Sequence, residues 1–233
     1  TSYLAEDAGC VVAVEIDKRL VQVLHDLLIG YRNVHIINAD ILRLDLKKEL
    51  APFMTSPDGT LRSLKVVANL PYYITTPVIM KLLEDGLEAE CMVIMVQKEV
   101  AARMMAKPGG KDYGALSVSV GYYSRPTVIT DVPPDCFTPR PGVDSTVVRL
   151  DLYKTPPVEL KDRDLFFKVV KAAFGQRRKT LLNALSNAGY IGIGKDQVRL
   201  LLDKAGIEEM QRGETLSIQQ FARLANEIYD LRR

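Results

Sequence analysis

Short runs of β-branched and other apolar residues alternate with amphipathic segments over residues 10–105, and this alternation constrains the fold more than any other feature. The run CVVAVEID at 10–17 is typical of a strand that is buried on both faces. The segment 18–28 that follows has apolar residues at helical spacing. Further strands are predicted at 33–37, 64–70 and 91–96, and further helices at 75–86 and 97–105. The pattern predicts parallel βαβ units in a doubly wound α/β sheet.

Local signals define the ends of some of these elements. The helix predicted over 75–86 has Thr76 in the N-cap position, Pro77 in its first turn and Gly86 at its end. The later runs 126–132 and 145–153 flank a proline-rich segment. We expect these two runs to close the sheet as an antiparallel pair.

The sequence pattern of the chain changes after Tyr153. Residues 154–164 are typical of a linker, and only helical patterns follow it. One helical segment is predicted over 164–189, interrupted near Gly175. Further helices are predicted over 195–206 and 217–233, the last with a capping box from Ser217 to Gln220. We therefore expect an α/β domain over 1–155 and a small all-helical domain over 156–233.

Composition excludes several classes of site. Three cysteines without paired spacing indicate neither a disulfide framework nor a zinc site, so no metal is expected. Two histidines and no tryptophan leave little material for histidine-based catalysis. The chain shows no signal peptide and no apolar run near the roughly 20 residues that cross a bilayer. A cytoplasmic protein without a membrane partner is expected.

The positive charge is concentrated towards the C-terminus. From Lys161 onward the chain has 14 lysine and arginine residues against 9 aspartates and glutamates, whereas the part before it has 17 against 20. This asymmetry favours a C-terminal surface that meets an anionic partner, although solvated helices are often basic as well.

Polar side chains follow three of the predicted strands, namely Glu15, Asp40 and Asn69. Ligands of open parallel sheets bind beyond the carboxyl ends of the strands, where an acid can bond ribose hydroxyls. Glu15 suits that role, and Asp40 could accept a hydrogen bond from an adenine amino group. Either acid alone is explained as well by a helix start or a turn. The two together favour a nucleoside-like ligand.

A glycine-rich loop is expected about 20 residues before such an acid. Only 14 residues precede Glu15, and residues 1–9 are typical of the tail of a helix. We therefore expect the chain to be a piece of a longer protein, without its first strand and its phosphate-loop equivalent. In that form we expect it to bind a cofactor weakly and possess little or no activity.

The stretch ANLPYYI at 68–74 combines an amide, a proline and two aromatic residues directly behind a strand. The Asn69 side-chain oxygen and the Leu70 carbonyl could accept hydrogen bonds from an exocyclic adenine amine and stabilise positive charge that develops on its nitrogen. Pro71 would stiffen the turn. Tyr72 could stack on a base that has left its helix. A strand end followed by a core tyrosine is the structural alternative.

Seven segments together resemble the family of ribosomal RNA small-subunit adenine N6,N6-dimethyltransferases, the kasugamycin-sensitivity type. They are VVAVEID, NADIL, VVANLPYYITTPVIMKLL, VQKEVAARM, YGALSVSVGYY, VPPDCFTPRPGVDSTVVRL and FGQRRKTLLNAL, in order over nearly the whole chain. The resemblance implies a class I S-adenosylmethionine-dependent methyltransferase fold, a Rossmann-like sheet, with a helical C-terminal domain. It also implies dimethylation of two adjacent adenines in the 3′-terminal hairpin of small-subunit rRNA, on an immature small subunit, by a monomer.

The resemblance also implies roles for single residues. Glu15 would hold the ribose of S-adenosylmethionine, and Ile16 would pack on its adenine. Asp40 would bind the adenine amino group, with Ile41 beside it. Asn69 would face both the cofactor and the target nitrogen. The target base would lie between Tyr72 and Phe137, although Phe137 could equally be an apolar residue under a proline-rich loop.

Three consecutive basic residues, Arg177, Arg178 and Lys179, are the candidate RNA-binding residues. If they were helical they would spread over about 200° of the axis, so some would meet phosphate and others solvent. Lys98 and Arg103 are interpreted as ordinary solvated residues. Tyr122 and Tyr123 lie in YGALSVSVGYY and are interpreted as packing residues.

Three alternatives remain open from the sequence. The related large-subunit rRNA dimethyltransferases of the macrolide-resistance type share the Asn-Leu-Pro-Tyr signature, but the segment FGQRRKTLLNAL argues against them. A non-catalytic RNA-binding assembly factor fits a shortened chain. A nicotinamide dehydrogenase is compatible with Glu15 but leaves the 69–72 tetrad unexplained.

Overall fold

A computed structural model describes residues 1–56 and 58–233. The chain forms two compact units, which are residues 1–65 with 73–90, and residues 66–72 with 91–233. The domain boundary expected near residue 155 is a different division of the chain and stays a prediction. No helix in the described residues is long and apolar enough to cross a membrane.

The first unit is built on a parallel pair of strands joined by a helix. After α1 (Ser2–Asp7), strand β1 (Val11–Glu15) leads into α2 (Lys18–Leu27) and then into β2 (Val34–Asn38). The strands pair in parallel, with Glu15 opposite Asn38. This is the βαβ arrangement that the alternating pattern predicts.

The other helices of the first unit are α3 (Leu46–Leu50) and α4 (Thr75–Glu84). The prediction that Thr76 caps α4 is wrong, because the N-cap position is held by Ile74 without a side-chain hydrogen bond. A 3-10 turn over Tyr72–Ile74 runs directly into the helix, so both threonines already lie inside it. Gly86 has φ of +63° just after the helix, which confirms its place at the helix end.

Most of the second unit's sheet is antiparallel. It contains β3 (Leu64–Asn69), β4 (Ala89–Gln97), β5 (Ser124–Val132) and β6 (Ser145–Leu152), in the order β3-β4-β6-β5. Strand β6 runs antiparallel to both β4 and β5, which confirms the closing pair. Ser145, at the start of β6, therefore lies opposite both Gln97 and Val132.

Six helices complete the second unit among the described residues. They are α5 (Lys98–Met105), α6 (Ala115–Tyr123), α7 (Arg163–Gly175), α8 (Leu181–Ser186), α9 (Lys195–Lys204) and α10 (Ile218–Leu231). The break predicted near Gly175 is confirmed by the end of α7. The capping box is confirmed too, since Ser217 N donates to Gln220 Oε1 at 2.9 Å and Gln220 N donates to Ser217 Oγ at 3.2 Å.

Helix α6 shares one apolar core with the C-terminal helices. The ring of Tyr122 lies 5.4 Å from that of Phe166, and Phe166 and Phe221 are fully buried. Tyr123 packs against the same core and stacks on Phe167. The interpretation of both tyrosines as packing residues is confirmed.

Gly213→Ala is expected to destabilise the second unit. An added Cβ would lie 2.8 Å from the Cβ of Ala173 and 3.1 Å from its carbonyl oxygen, and Ala173 is buried in α7. Neither atom is the end of a flexible side chain, so the backbone must shift, at a cost of about 1–3 kcal/mol. Urea unfolding followed by circular dichroism measures the lower midpoint.

Gly175→Ala is the matched control, because its added Cβ would meet nothing within 4 Å. Alanine also has a higher helix propensity than glycine, so the midpoint is expected to stay or rise. A Gly213→Ala midpoint equal to that of the wild type would contradict the close packing against Ala173.

Candidate active site

The tetrad Asn69–Tyr72 belongs to the second unit and begins where β3 ends. Asn69 is exposed, and Leu70 is half-buried. Among the described residues, the Asn69 side chain makes no hydrogen bond. Its amide oxygen is therefore free to accept one from a ligand, which a tetrad buried in the core could not do.

Tyr72 is fixed at the hydroxyl end of its ring. Its hydroxyl lies 2.7 Å from Ser145 Oγ, and the pair forms one hydrogen bond. Ser145 is fully buried at the start of β6, whereas Tyr72 is only half-buried. The ring is thus attached to the sheet through its edge and not through its face. Ser145 carries no local sequence signal for this role, because only the pairing of β6 brings residue 145 to residue 72.

Phe137 lies in the segment between β5 and β6. Its backbone N donates to Pro134 O at 3.1 Å, which closes a 3-10 turn over Pro134–Cys136. The residue is half-buried, and its ring is not stacked on Tyr72 in the described chain. Phe137, Asn69 and Tyr72 thus belong to one unit, with none of them fully buried.

A cavity of about 390 Å³ lies at the carboxyl end of β4. Gln97, the last residue of β4, lies in the lining of this cavity and pairs with Ser145 of β6. Lys98 is in its lining, and its Nζ lies 2.7 Å from Asp131 Oδ2 and 3.9 Å from Asp144 Oδ2. The hydrogen bond to Asp131 raises the pKa of Lys98. Lys98 is thus a paired cation, in agreement with its interpretation as an ordinary surface residue. Asp144 is also in the lining, and the remaining lining residues are Glu99, Pro134, Gly142 and Val143.

In the first unit, the carboxyl end of β1 carries Glu15 and Ile16. Glu15 Oε1 accepts a hydrogen bond from Asp17 N at 2.9 Å. The Ile16 side chain is 65% exposed. Asn38, at the end of β2, donates from Nδ2 to the carbonyl oxygens of Glu15 at 2.9 Å and Ile16 at 3.1 Å. Asn38 therefore holds this strand end in place, a role that sequence reasoning missed because it depends on the β1–β2 register.

Asp40 closes the turn that follows β2. Its Oδ1 accepts from Leu42 N at 2.9 Å, and its Oδ2 lies 3.5 Å from Arg43 Nε. Ala39 N donates to Glu15 O at 3.0 Å, so the ends of the two strands are joined. Ile41 is half-buried beside them. Part of the Asp40 carboxylate is thus used in the turn.

The candidate cofactor residues fit the adenosine part of a nucleoside-containing cofactor. They are Glu15, Ile16, Asp40 and Ile41. An exposed apolar side chain, Ile16, is available for the face of a purine ring, and carboxylates at two neighbouring strand ends are available for its polar edges.

Arg177, Arg178 and Lys179 lie in a turn and not in a helix, so the expectation of helical spacing is wrong. Helix α7 ends at Gly175, and Thr180 caps α8 by accepting from Asn183 N at 3.4 Å. Arg177 Nε donates to Glu214 Oε2 at 2.8 Å, and its guanidinium also donates to the carbonyl of Lys111. The other two basic side chains are exposed and make no ion pair in the described part of the chain.

Comparison with known proteins gives concordant results. A family model described as ribosomal RNA adenine dimethylase matches residues 1–230. The ribosomal RNA small subunit methyltransferase A of Alkaliphilus oremlandii (strain OhILAs) is 51% identical over 228 residues, which are 98% of this chain and 77% of that protein.

Two solved structures share the fold. A dimethyladenosine transferase from Plasmodium falciparum has a TM-score of 0.72 and 22% identity, with 95% of this chain and 82% of that chain covered. The 23S rRNA methyltransferase ErmE has a TM-score of 0.63 and 24% identity, with 98% and 85% covered. These likenesses identify the class I methyltransferase fold. Since the family model covers almost the whole chain, the chain belongs to the ribosomal RNA adenine dimethylase family, whose methyl donor is S-adenosylmethionine.

Proposed function

We propose that this protein, in its full-length form, dimethylates the N6 amino groups of two adjacent adenines in the 3′-terminal hairpin of small-subunit rRNA. It acts on immature small ribosomal subunits, in the cytoplasm, as a monomer. The observation that carries the proposal is the exposed Asn69 amide at the end of β3, which has no hydrogen-bond partner among the described residues. The names of the curated relatives support the choice of the small subunit.

The proposed methyl transfer requires hydrogen-bond acceptors beside the adenine amine rather than a catalytic acid or base. The lone pair of an adenine amine is delocalised into the ring, so the nitrogen is a poor nucleophile. The Asn69 side-chain oxygen and the Leu70 carbonyl accept hydrogen bonds from the two amine hydrogens before the first transfer, and one of them accepts from the remaining hydrogen before the second. These hydrogen bonds favour a pyramidal nitrogen. They also stabilise the positive charge that develops there, which is electrostatic catalysis by fixed dipoles. When it is bound, S-adenosylmethionine would supply the methyl group from its sulfonium and leave as the neutral thioether, and the alkylated nitrogen would release one proton to solvent.

The target base is positioned by stacking. Tyr72 presents the face of a ring whose edge is attached to Ser145, so the face is oriented before the base arrives. Phe137 contributes a second aromatic surface from the segment between β5 and β6. Each base–aromatic contact contributes about 1–3 kcal/mol, which offsets part of the cost of extruding the base.

The methyl donor is held by the first unit. Glu15 bonds the ribose hydroxyls, and Ile16 covers one face of the adenine. Asp40 accepts from the adenine amino group, and Ile41 packs beside it. The hydrogen bonds that Asn38 donates to the carbonyls of Glu15 and Ile16 keep this strand end rigid.

A large-subunit specificity is the second candidate. ErmE is named for 23S rRNA, but its 24% identity to this chain supports the fold alone. The small-subunit relative is about twice as similar in sequence. Primer extension across both rRNAs of a strain that lacks the gene separates the two specificities, and loss of the modification in the large-subunit rRNA would overturn our assignment.

Asn69→Ala is expected to lower methyl transfer to unmodified small subunits about 100–1,000-fold, because one fixed acceptor is lost. Incorporation of tritiated methyl groups measures the rate for the full-length protein. Asn226→Ala is the matched control, since that amide only bonds the linker at Glu159 and Lys161. Full activity of Asn69→Ala would remove the basis of the mechanism.

Tyr72→Phe and Ser145→Ala are each expected to lower the transfer rate about 3–10-fold, because the net contribution of one hydrogen bond is about 0.5–1.5 kcal/mol. The double variant is expected to lose no more than the worse single variant, since both remove the same bond. Single-turnover rates of the four proteins complete the cycle. Losses that multiply in the double variant would show that the two hydroxyl groups act independently.

Glu15→Gln is expected to weaken S-adenosylmethionine binding about 10–100-fold, because a hydrogen bond to a charged group contributes about 1.5–3 kcal/mol. Isothermal titration of the full-length protein measures the dissociation constant without any reaction. Glu90→Gln is a suitable control, as Glu90 only pairs with Lys65 on the surface of the same unit. Equal affinity of Glu15→Gln and the wild type would contradict the ribose assignment.

A further inference from the structure

Three loops of the second unit meet at one place, which we call the basic junction. They are residues 107–112, 176–180 and 211–215. Together they contain six cationic side chains and two carboxylates. The cations are Lys107, Lys111, Arg177, Arg178, Lys179 and Arg212, and the carboxylates are Asp112 and Glu214.

The loop 107–112 is held in one conformation by backbone hydrogen bonds. Gly109 N donates to Glu214 O at 2.8 Å, and Gly110 N donates to Lys107 O at 3.1 Å. Gly109 has φ of +84°, a conformation that favours glycine. A Cβ on Gly110 would lie 3.1 Å from the Lys107 carbonyl oxygen. The conformation of the loop therefore depends on its two glycines and on these backbone hydrogen bonds.

Tyr113 attaches the end of this loop to the core. Its ring is 3% exposed, and its hydroxyl donates to Leu216 O at 2.8 Å. Burial raises the pKa of Tyr113 to about 12, so the donor proton is retained at physiological pH. The segment 211–216 is fixed in turn, because Leu181 N donates to Gln211 O at 2.7 Å.

Arg177 joins the three loops. Its guanidinium donates to the Glu214 carboxylate and to the Lys111 carbonyl, so one side chain bridges 177, 214 and 111. It also neutralises the carboxylate that would otherwise repel a polyanion. A guanidinium that already has two partners is less available for phosphate than its neighbours are.

Lys107 and Lys111 are exposed and make no ion pair in the described part of the chain. They project from a loop whose backbone is held by Glu214 and Arg177. Lysines on a loop whose backbone is held lose less backbone entropy on binding than lysines of a mobile loop. Phosphate groups of RNA are the ligand that such cations recognise.

We propose that Lys107 and Lys111 bind rRNA phosphates and that Arg177 is the positioning residue that holds their loop. The inference rests on the proposed function, since it takes rRNA as the partner. It divides the basic residues into two groups. Lys107 and Lys111 contact RNA beside Arg178 and Lys179, whereas Arg177 acts through the loop.

Salt dependence of binding tests the two lysines. The dissociation constant of the chain for unmethylated small ribosomal subunits is measured between 50 and 300 mM KCl. Lys107→Ala and Lys111→Ala are each expected to weaken binding about 3–10-fold at 100 mM and to lower the slope of log K against log salt by about 0.9. The double variant is expected to lower the slope by about twice that amount.

Lys195→Ala is the matched control, because Lys195 is exposed at the start of α9 and outside the basic junction. It should change neither the slope nor the affinity. If the wild type binds and the double lysine variant binds equally with the same slope, the inference is wrong while the proposed function stands. If the wild type does not bind small subunits, both are wrong.

Glu214→Ala tests the role of Arg177. Removal of a carboxylate from a basic surface should tighten RNA binding if Arg177 becomes a phosphate ligand. If Arg177 instead holds the loop, the variant is expected to bind small subunits about 3–10-fold more weakly and its Gly109 amide to exchange hydrogen faster. Tighter binding with unchanged exchange would overturn the positioning role.

Discussion

The hydrogen bond between Tyr72 and Ser145 connects the proposed chemistry to the fold. Ser145 begins β6, the strand that pairs with both β4 and β5, and it is fully buried there. Tyr72 follows Asn69 by three residues, so anchoring its hydroxyl also restrains the turn that displays the amide. An exposed amide on an unrestrained turn would lose much of the benefit of fixed dipoles, because it would have to be ordered during each reaction.

Much of the fold follows from hydrophobic periodicity. Runs such as 10–17 and 91–96 are strands because β-branched residues pack well on a pleated sheet, and these segments lie where the pattern predicts them. Single-residue signals predicted the ends of helices less reliably than periodicity predicted the elements themselves. Threonine is frequent at N-cap positions, but Thr76 lies inside α4 because the preceding 3-10 turn runs directly into the helix. Arg177 is typical of a helix interior by propensity, yet Gly175 ends α7 before it.

The candidate site was predictable where it depends on single residues at strand ends. Glu15 and Asn69 stand at the ends of β1 and β3, as the boundary between apolar and polar residues indicates. Ser145, Asn38 and the Arg177 bridge were not predictable, because their partners lie tens of residues away and are selected by strand register or by loop packing. Chemistry-bearing residues thus leave a local signal, whereas the residues that hold them do not.

The central claim is that the Asn69 oxygen and the Leu70 carbonyl act on the nitrogen during transfer and not on binding of the base. Single-turnover kinetics of the Asn69→Ala protein, at saturating small subunits and saturating S-adenosylmethionine, tests this most directly. The saturating rate is expected to be at least about 100-fold below that of the wild type, and the dissociation constant for subunits is expected to change less than about threefold. An unchanged saturating rate with weakened subunit binding would contradict it.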